Sequence, residues 1–270
     1  MDFLLECIGF PPEYDLNELA RQIRARGDTV PWRGPSGVHL RYPFTPSALG
    51  ADGRPGAGGL EVRLDQDEGD ARESIWPHFE SQRRLRVSVQ SIQRTPGAPF
   101  DALLHGIANP PIPNDPDDPW GELGGDDYPL CAWLSNARRL PPKLADGHVL
   151  AISIAGFALD VTYLGPNEGV RDPYILEEPF GAQLLPLEGS ESPKGCMELS
   201  LRVRKLRHLG NPLTREPVVA LEVDAPGRPL ELFVSRWQLA NAGYDSPRTG
   251  WRIEGAFLFT GRVVGGLPRQ

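Results

Sequence analysis

Leu85, Val87 and Val89 alternate with Arg86, Ser88 and Gln90, a period of two that places successive side chains on opposite faces of a strand. The same alternation marks residues 38–42 and 60–64 as a hairpin with a long Gly/Pro-rich connection at 43–59, and further strands follow at 102–107, 130–134 and 149–164. Residues 199–264 read as strand, turn, strand, tight turn at 225–228, strand, a short helical link at 238–244 and a final long strand at 250–264. A period near 3.6 occurs where Leu16, Leu19, Ala20 and Ile23 share a face; Asp15 supplies the N-cap, Glu18 stands where a capping box needs it, and Gly27 ends the helix after Arg26. Residues 2–10 form an apolar run stopped by Pro11 and Pro12, which reads as a buried first strand rather than a signal peptide, because Asp2 and Glu6 replace a basic leader.

Self-similarity organises the rest. At an offset of 116, Leu85, Arg86 and Val87 fall on Leu201, Arg202 and Val203, and Pro96, Leu103 and Ile107 fall on Pro212, Val219 and Val223. The offset then becomes 100, placing Trp133 and Leu134 on Phe233 and Val234, and 99, placing Ile154, Gly156 and Leu159 on Ile253, Gly255 and Leu258. One loop accounts for the change: 109–127 in the first copy against 225–228 in the second. The fold class that follows is mainly β, with an α+β N-terminal module at 1–82 and two tandem small β modules, duplicated, at 83–165 and 196–270, joined by a Pro-rich linker at 166–195 that holds a short extended piece at 182–187. The element order resembles an OB-like or related small barrel. Each copy has four strands where a full OB-fold has five; either the last strand bends at Gly255 or Gly261 and counts twice, or the neighbouring module completes the sheet.

Composition supports this reading. Gly and Pro number 30 and 29, which leaves little room for long helices, while 40% hydrophobic residues in alternating segments argue for a packed chain rather than a disordered one. No apolar run approaches the ~18 residues of a membrane span. Cys7, Cys131 and Cys196 are far apart and odd in number, which points to a reducing, cytoplasmic setting and a soluble protein. Charge divides the chain: residues 196–270 carry 11 Lys and Arg against 7 Asp and Glu, leaving 17 against 29 for residues 1–195. The basic end either docks on the acidic remainder or meets an anionic partner.

Three sets of residues carry candidate chemistry. His39 and Glu61 lie on the hairpin with His78 not far along the chain, a trio of types that bind a divalent metal; a solvated sheet face with cross-strand ion pairs uses the same residues. Asp115, Asp117 and Asp118, near Trp120, offer hard oxygen ligands to calcium, although the spacing is not that of an EF-hand loop and a solvated loop needs nothing more. Arg202, Arg204, Lys205, Arg207 and His208 lie along one strand, with Trp237 and Trp251 available to stack on bases, as in a single-strand nucleic-acid site. Against that site stand the acidic remainder and a chain with 25 Arg to 3 Lys, in which arginine is common everywhere. Gly-x-Ser-x-Gly, phosphate-loop, His-Glu-x-x-His and dinucleotide patterns do not occur, and Gly34-Pro35-Ser36-Gly37 reads as a turn. His105 and His148 lie in apolar segments, as ordinary hydrogen-bonded histidines do. The expectation is a non-catalytic binding or assembly protein without cofactor, with a protein partner or self-association; single-stranded nucleic-acid binding is the alternative, and a metal-dependent enzyme using the hairpin is the second.

Overall fold

In the computed structural model, residues 3–26, 32–34, 37–43, 59–66, 73–81, 83–95, 98–112, 126–141, 143–166, 182–187 and 194–267 are described. They form a mainly β protein of two sheets. The smaller sheet is antiparallel, in the order β1 (Trp32–Gly34), β2 (Gly37–Pro43), β3 (Leu60–Gln66) and β4 (Glu73–Phe79). The expected hairpin is β2 and β3. Leu60, Val62 and Leu64 are fully buried, and helix α2 (Leu16–Arg26), which buries Leu19 and Ile23, packs on β2 and β3. Asp15 caps that helix through the backbone N–H groups of Asn17 and Glu18. The Glu18 carboxylate pairs with Gln22 and Arg21, one turn further on.

The expected first strand is instead a single helical turn, α1 (Phe3–Glu6), followed by tight turns to Phe10. A short apolar run suits a buried turn as well as a buried strand, and periodicity cannot separate the two. Tertiary contacts settle the matter: Asn211 donates to the Ile8 carbonyl (3.0 Å), Thr214 to the Gly9 carbonyl (2.6 Å) and Ser235 to the Glu6 carboxylate (2.7 Å). These contacts bind the N-terminus to the far end of the sequence.

The larger sheet contains β5 (Leu85–Thr95), β6 (Ala98–Ala108), β7 (Tyr128–Leu134), β8 (Val149–Pro166), β9 (Gln183–Pro186), β10 (Cys196–Gly210), β11 (Pro217–Asp224), β12 (Leu230–Val234) and β13 (Trp251–Gly265). A short 3-10 helix (Ala137–Arg139) follows β7, and α3 (Arg236–Asn241), capped by Ser235, follows β12. β9, within the stretch read as a linker, pairs with β10. At about 3.3 Å per residue the 18-residue β8 spans roughly 55 Å, enough to serve two structures. It does so with β13. β8 and β13 pair antiparallel along most of their length; β5, β6 and β7 link them on one side and β10, β11 and β12 on the other. Two five-strand rings therefore share one wall. Each half supplies the other's fifth strand through a parallel contact, Trp133 with Thr260 and Phe233 with Phe157.

The registers of the two rings correspond. Shifts of 114 for β5 to β10, 117 for β6 to β11, 100 for β7 to β12 and 103 for β8 to β13 carry pair onto pair: Arg94 with Ala102 becomes His208 with Val219, and Leu85 with Ile152 becomes Leu199 with Gly255. Even the irregularities match, between Val89 and Ser91 in β5 and between Val203 and Lys205 in β10. Under these shifts the pair Gly156 with Phe259 maps onto itself. The third-strand shift equals the sequence offset, while the others differ from it by one to four residues.

Candidate functional site

Period two gives β3 a second face. Opposite Leu60, Val62 and Leu64 stand Glu61, Arg63 and Asp65, and this charged face is buried against the ring wall rather than solvated. Arg41 of β2 donates to both Glu61 oxygens (2.6–3.2 Å), and Arg262 of β13 reaches Glu61 from the other sheet. Arg63 pairs with Asp65 (2.7 Å) and with Asp101 of β6 (2.8 Å). Isolated buried charges are costly, so the pairing between sheets is what permits a charged face to lie inside. Nearby, Arg207 pairs with Glu231 and lies over the Phe79 ring, which contacts Phe233 at 5.0 Å.

His78 of β4 lies opposite Glu61 in register and is 2% exposed; its Nδ1 is 3.5 Å from the Thr260 hydroxyl, and its Nε2 has no hydrogen-bond partner. Burial, reinforced by Arg262, holds its pKa well below the ordinary 6.5, so the ring is neutral in the folded protein. Burial alone would raise the Glu61 carboxyl, yet Arg262 and Arg41 outweigh it and keep the group below its ordinary 4.5. The sign for His78 follows. Below pH 6.5 the unfolded chain takes up a proton that the folded chain refuses, so stability is retained above pH 6.5 and falls as the pH drops. Going from about pH 7.5 to about pH 5.5, the unfolding free energy is expected to fall with a limiting slope of about 1.4 kcal/mol per pH unit from this group. Urea titrations check it: the slope between pH 6.5 and the carboxylate range should shrink in His78→Asn, and an unchanged slope would exclude His78 as its source.

Of the proposed metal trio, Glu61 and His78 are brought together, but both Glu61 oxygens are engaged by guanidiniums. His39 is placed opposite Asp65 in the β2–β3 ladder, and its side chain lies outside the described residues. Among the described residues no three His, Cys, Asp or Glu side chains are grouped to hold a metal ion. Asp115, Asp117, Asp118 and Trp120 also lie outside the described residues. Sequence reasoning missed Asp101, Thr260 and Arg262. The available signal was Arg262 itself, a charge in the mostly apolar second half of the last strand, where burial requires a partner.

Carboxylates of its own half pair with the basic strand, Arg202 with Asp224 (2.7 Å), Arg204 with Glu222 (3.6 Å) and Arg207 with Glu231, and Arg207 also lies over Phe79 of the first part. Glu222 and Glu231 face each other across β11 and β12, a repulsive arrangement offset by these arginines and by Arg83, 2.5 Å from Glu222. Lys205 and His208 are exposed, while Trp237 and Trp251 are half-buried beneath Arg236 and Arg248. His105 Nε2 is 3.8 Å from the Cys131 sulfur, and His148 Nε2 is 2.5 Å from the Gly266 carbonyl. Burial pushes the Cys7 and Cys196 thiols up to about 12, away from thiolate chemistry near neutral pH. Compared with known proteins, the chain matches no family model, no curated protein and no solved structure.

Proposed function

We propose that this chain is a non-catalytic binding or assembly protein, in which an N-terminal α+β module supports two OB-like β barrels, residues 83–165 and 196–270, descended from one four-strand plan. The observation that carries this reading is how the charged side chains are used. Glu61, Asp65, Asp101, Glu222 and Glu231 are each engaged by arginine, and several of these pairs join one layer to another, so the groups best suited to acid–base or metal chemistry serve to fix a scaffold. The matching registers, with corresponding irregularities in β5 and β10, support the common plan. A cytoplasmic setting is proposed on the absence of a disulfide among Cys7, Cys131 and Cys196, all buried. No helix among the described residues is long and apolar enough to cross a membrane.

A screen for hydrolase and metal-dependent turnover is the direct test. The expected result is no turnover attributable to the protein. Turnover that disappears in His39→Ala or Glu61→Ala, each first shown to be folded by circular dichroism, would replace this reading with the metal-dependent enzyme. Single-strand binding by residues 196–270 has less support, because Arg202 and Arg207 are already paired and each of the two tryptophan rings has one of the protein's own arginines over it.

A further inference from the structure

The two rings differ at one corresponding place. In the first, Arg94 lies opposite Ala102, which lies opposite Leu134, and the Arg94 guanidinium donates to the carbonyls of Ala137 (3.2 Å), Leu140 (3.0 Å) and Pro141 (3.1 Å), in the segment after β7. The same row in the second ring is His208, Val219 and Val234, followed by α3. His208 is exposed, and the corner holds a groove of about 180 Å³ walled by Val219, Val234, Leu239 and Tyr244, with Glu6 and Asp245 also lining it.

We infer that this groove is the docking site for one arginine side chain of a protein partner, seated where the first ring seats its own Arg94. The inference rests on the binding-protein reading and gives the partner a chemistry. Size supports a single side chain, because the groove is smaller than the roughly 300 Å³ at which pockets for whole small molecules begin. Charge agrees. The one cation in the lining, Arg236, is paired with Glu216 at 2.5 Å, whereas Glu6 accepts from the neutral Ser235 hydroxyl, which leaves its charge uncancelled by that contact, and Asp245 is exposed at the mouth. The apolar walls suit the methylene stem of arginine, and its planar head makes directed bonds to carboxylates.

The test is an NMR titration of the full chain with acetyl-Gly-Arg-Gly-amide and with the same peptide carrying citrulline, which keeps the shape and removes the charge. Saturating shifts of the Val219, Val234 and Leu239 methyls are expected with the arginine peptide. Binding should weaken by about tenfold with citrulline and by a similar factor in Asp245→Asn, the loss expected for one charge-assisted contact. His208→Arg gives the second ring the side chain that the first ring has at this row, and it should compete with the peptide. No saturable shift at millimolar peptide, or shifts indifferent to citrulline and to Asp245→Asn, overturns the inference. Those outcomes leave the binding-protein reading in place, because only turnover in the activity screen removes it.

Discussion

Replacing Gly255 with alanine is expected to destabilise the protein by about 4 kcal/mol or more, a range reached through a short list of mechanisms that includes a side chain forced against backbone it cannot displace. Gly255 has φ 148°, and a Cβ built on it would lie 2.1 Å from the Asp160 carbonyl oxygen and 3.0 Å from two further backbone atoms of β8. No rotamer change relieves such a contact. The position pairs with Val161 on one side and Leu199 on the other, at a register irregularity where β13 bends from one ring toward the next. Because both rings use the β8–β13 wall, the damage should not stay in one half. Urea unfolding of Gly255→Ala should show a lower midpoint followed by one cooperative transition, with protection lost from β5 as well as β10 in hydrogen exchange. Gly210→Ala is the control: nothing lies within 4 Å of its Cβ position, and a change within about 0.5 kcal/mol is expected. Equal stability of the two variants would show that the wall tolerates a side chain at Gly255.

Much of this architecture was legible because it depends on local rules. Alternation located the strands, Asp15 marked the helix start, and Gly255, named as a bend in the last strand, stands at a register irregularity of β13. Three matters were beyond those rules. Residues 3–10 lack a period, so only their bonds to Asn211, Thr214 and Ser235 decide their shape. Shifts of two in β10 and four in β13 relative to the sequence offsets preserve which face each residue occupies, and hydrophobic patterning is blind to even slips. Alternation in β3 also reports that its faces differ without reporting which is wet. Here neither is, since α2 covers the apolar face and the ring wall covers the charged one. The same limit hid the candidate site. Glu61 and His78 could be named as reactive types, but of the two guanidiniums that neutralise Glu61 one comes from a residue 201 positions later.

That long-range pair carries the second large effect. Glu61→Gln is expected to cost about 3–5 kcal/mol, because it leaves Arg262, 9% exposed, inside the protein without its counter-charge. Arg41 also loses its bidentate acceptor, though it is less buried and has Glu80 at 3.7 Å as a second anion. Replacing both members of the inter-sheet pair should behave differently. In Glu61→Leu with Arg262→Met neither member of the inter-sheet pair is left as a stranded charge, and much of the loss shown by Glu61→Leu or Arg262→Met alone should return, as it does when a buried ion pair is exchanged for apolar groups of similar volume. The coupling energy from the double-mutant cycle, measured by urea unfolding, should exceed about 1 kcal/mol in favour of the pair. Strict additivity of the two substitutions would mean that Glu61 and Arg262 do not hold the sheets together. Coupling with little net loss in the double variant would mean that the ion pair fixes how the N-terminal sheet sits on the ring wall more than it adds to stability. A scaffold of two shared rings needs that positioning to keep Glu6 and α1 against the second ring, where they line the groove beside α3.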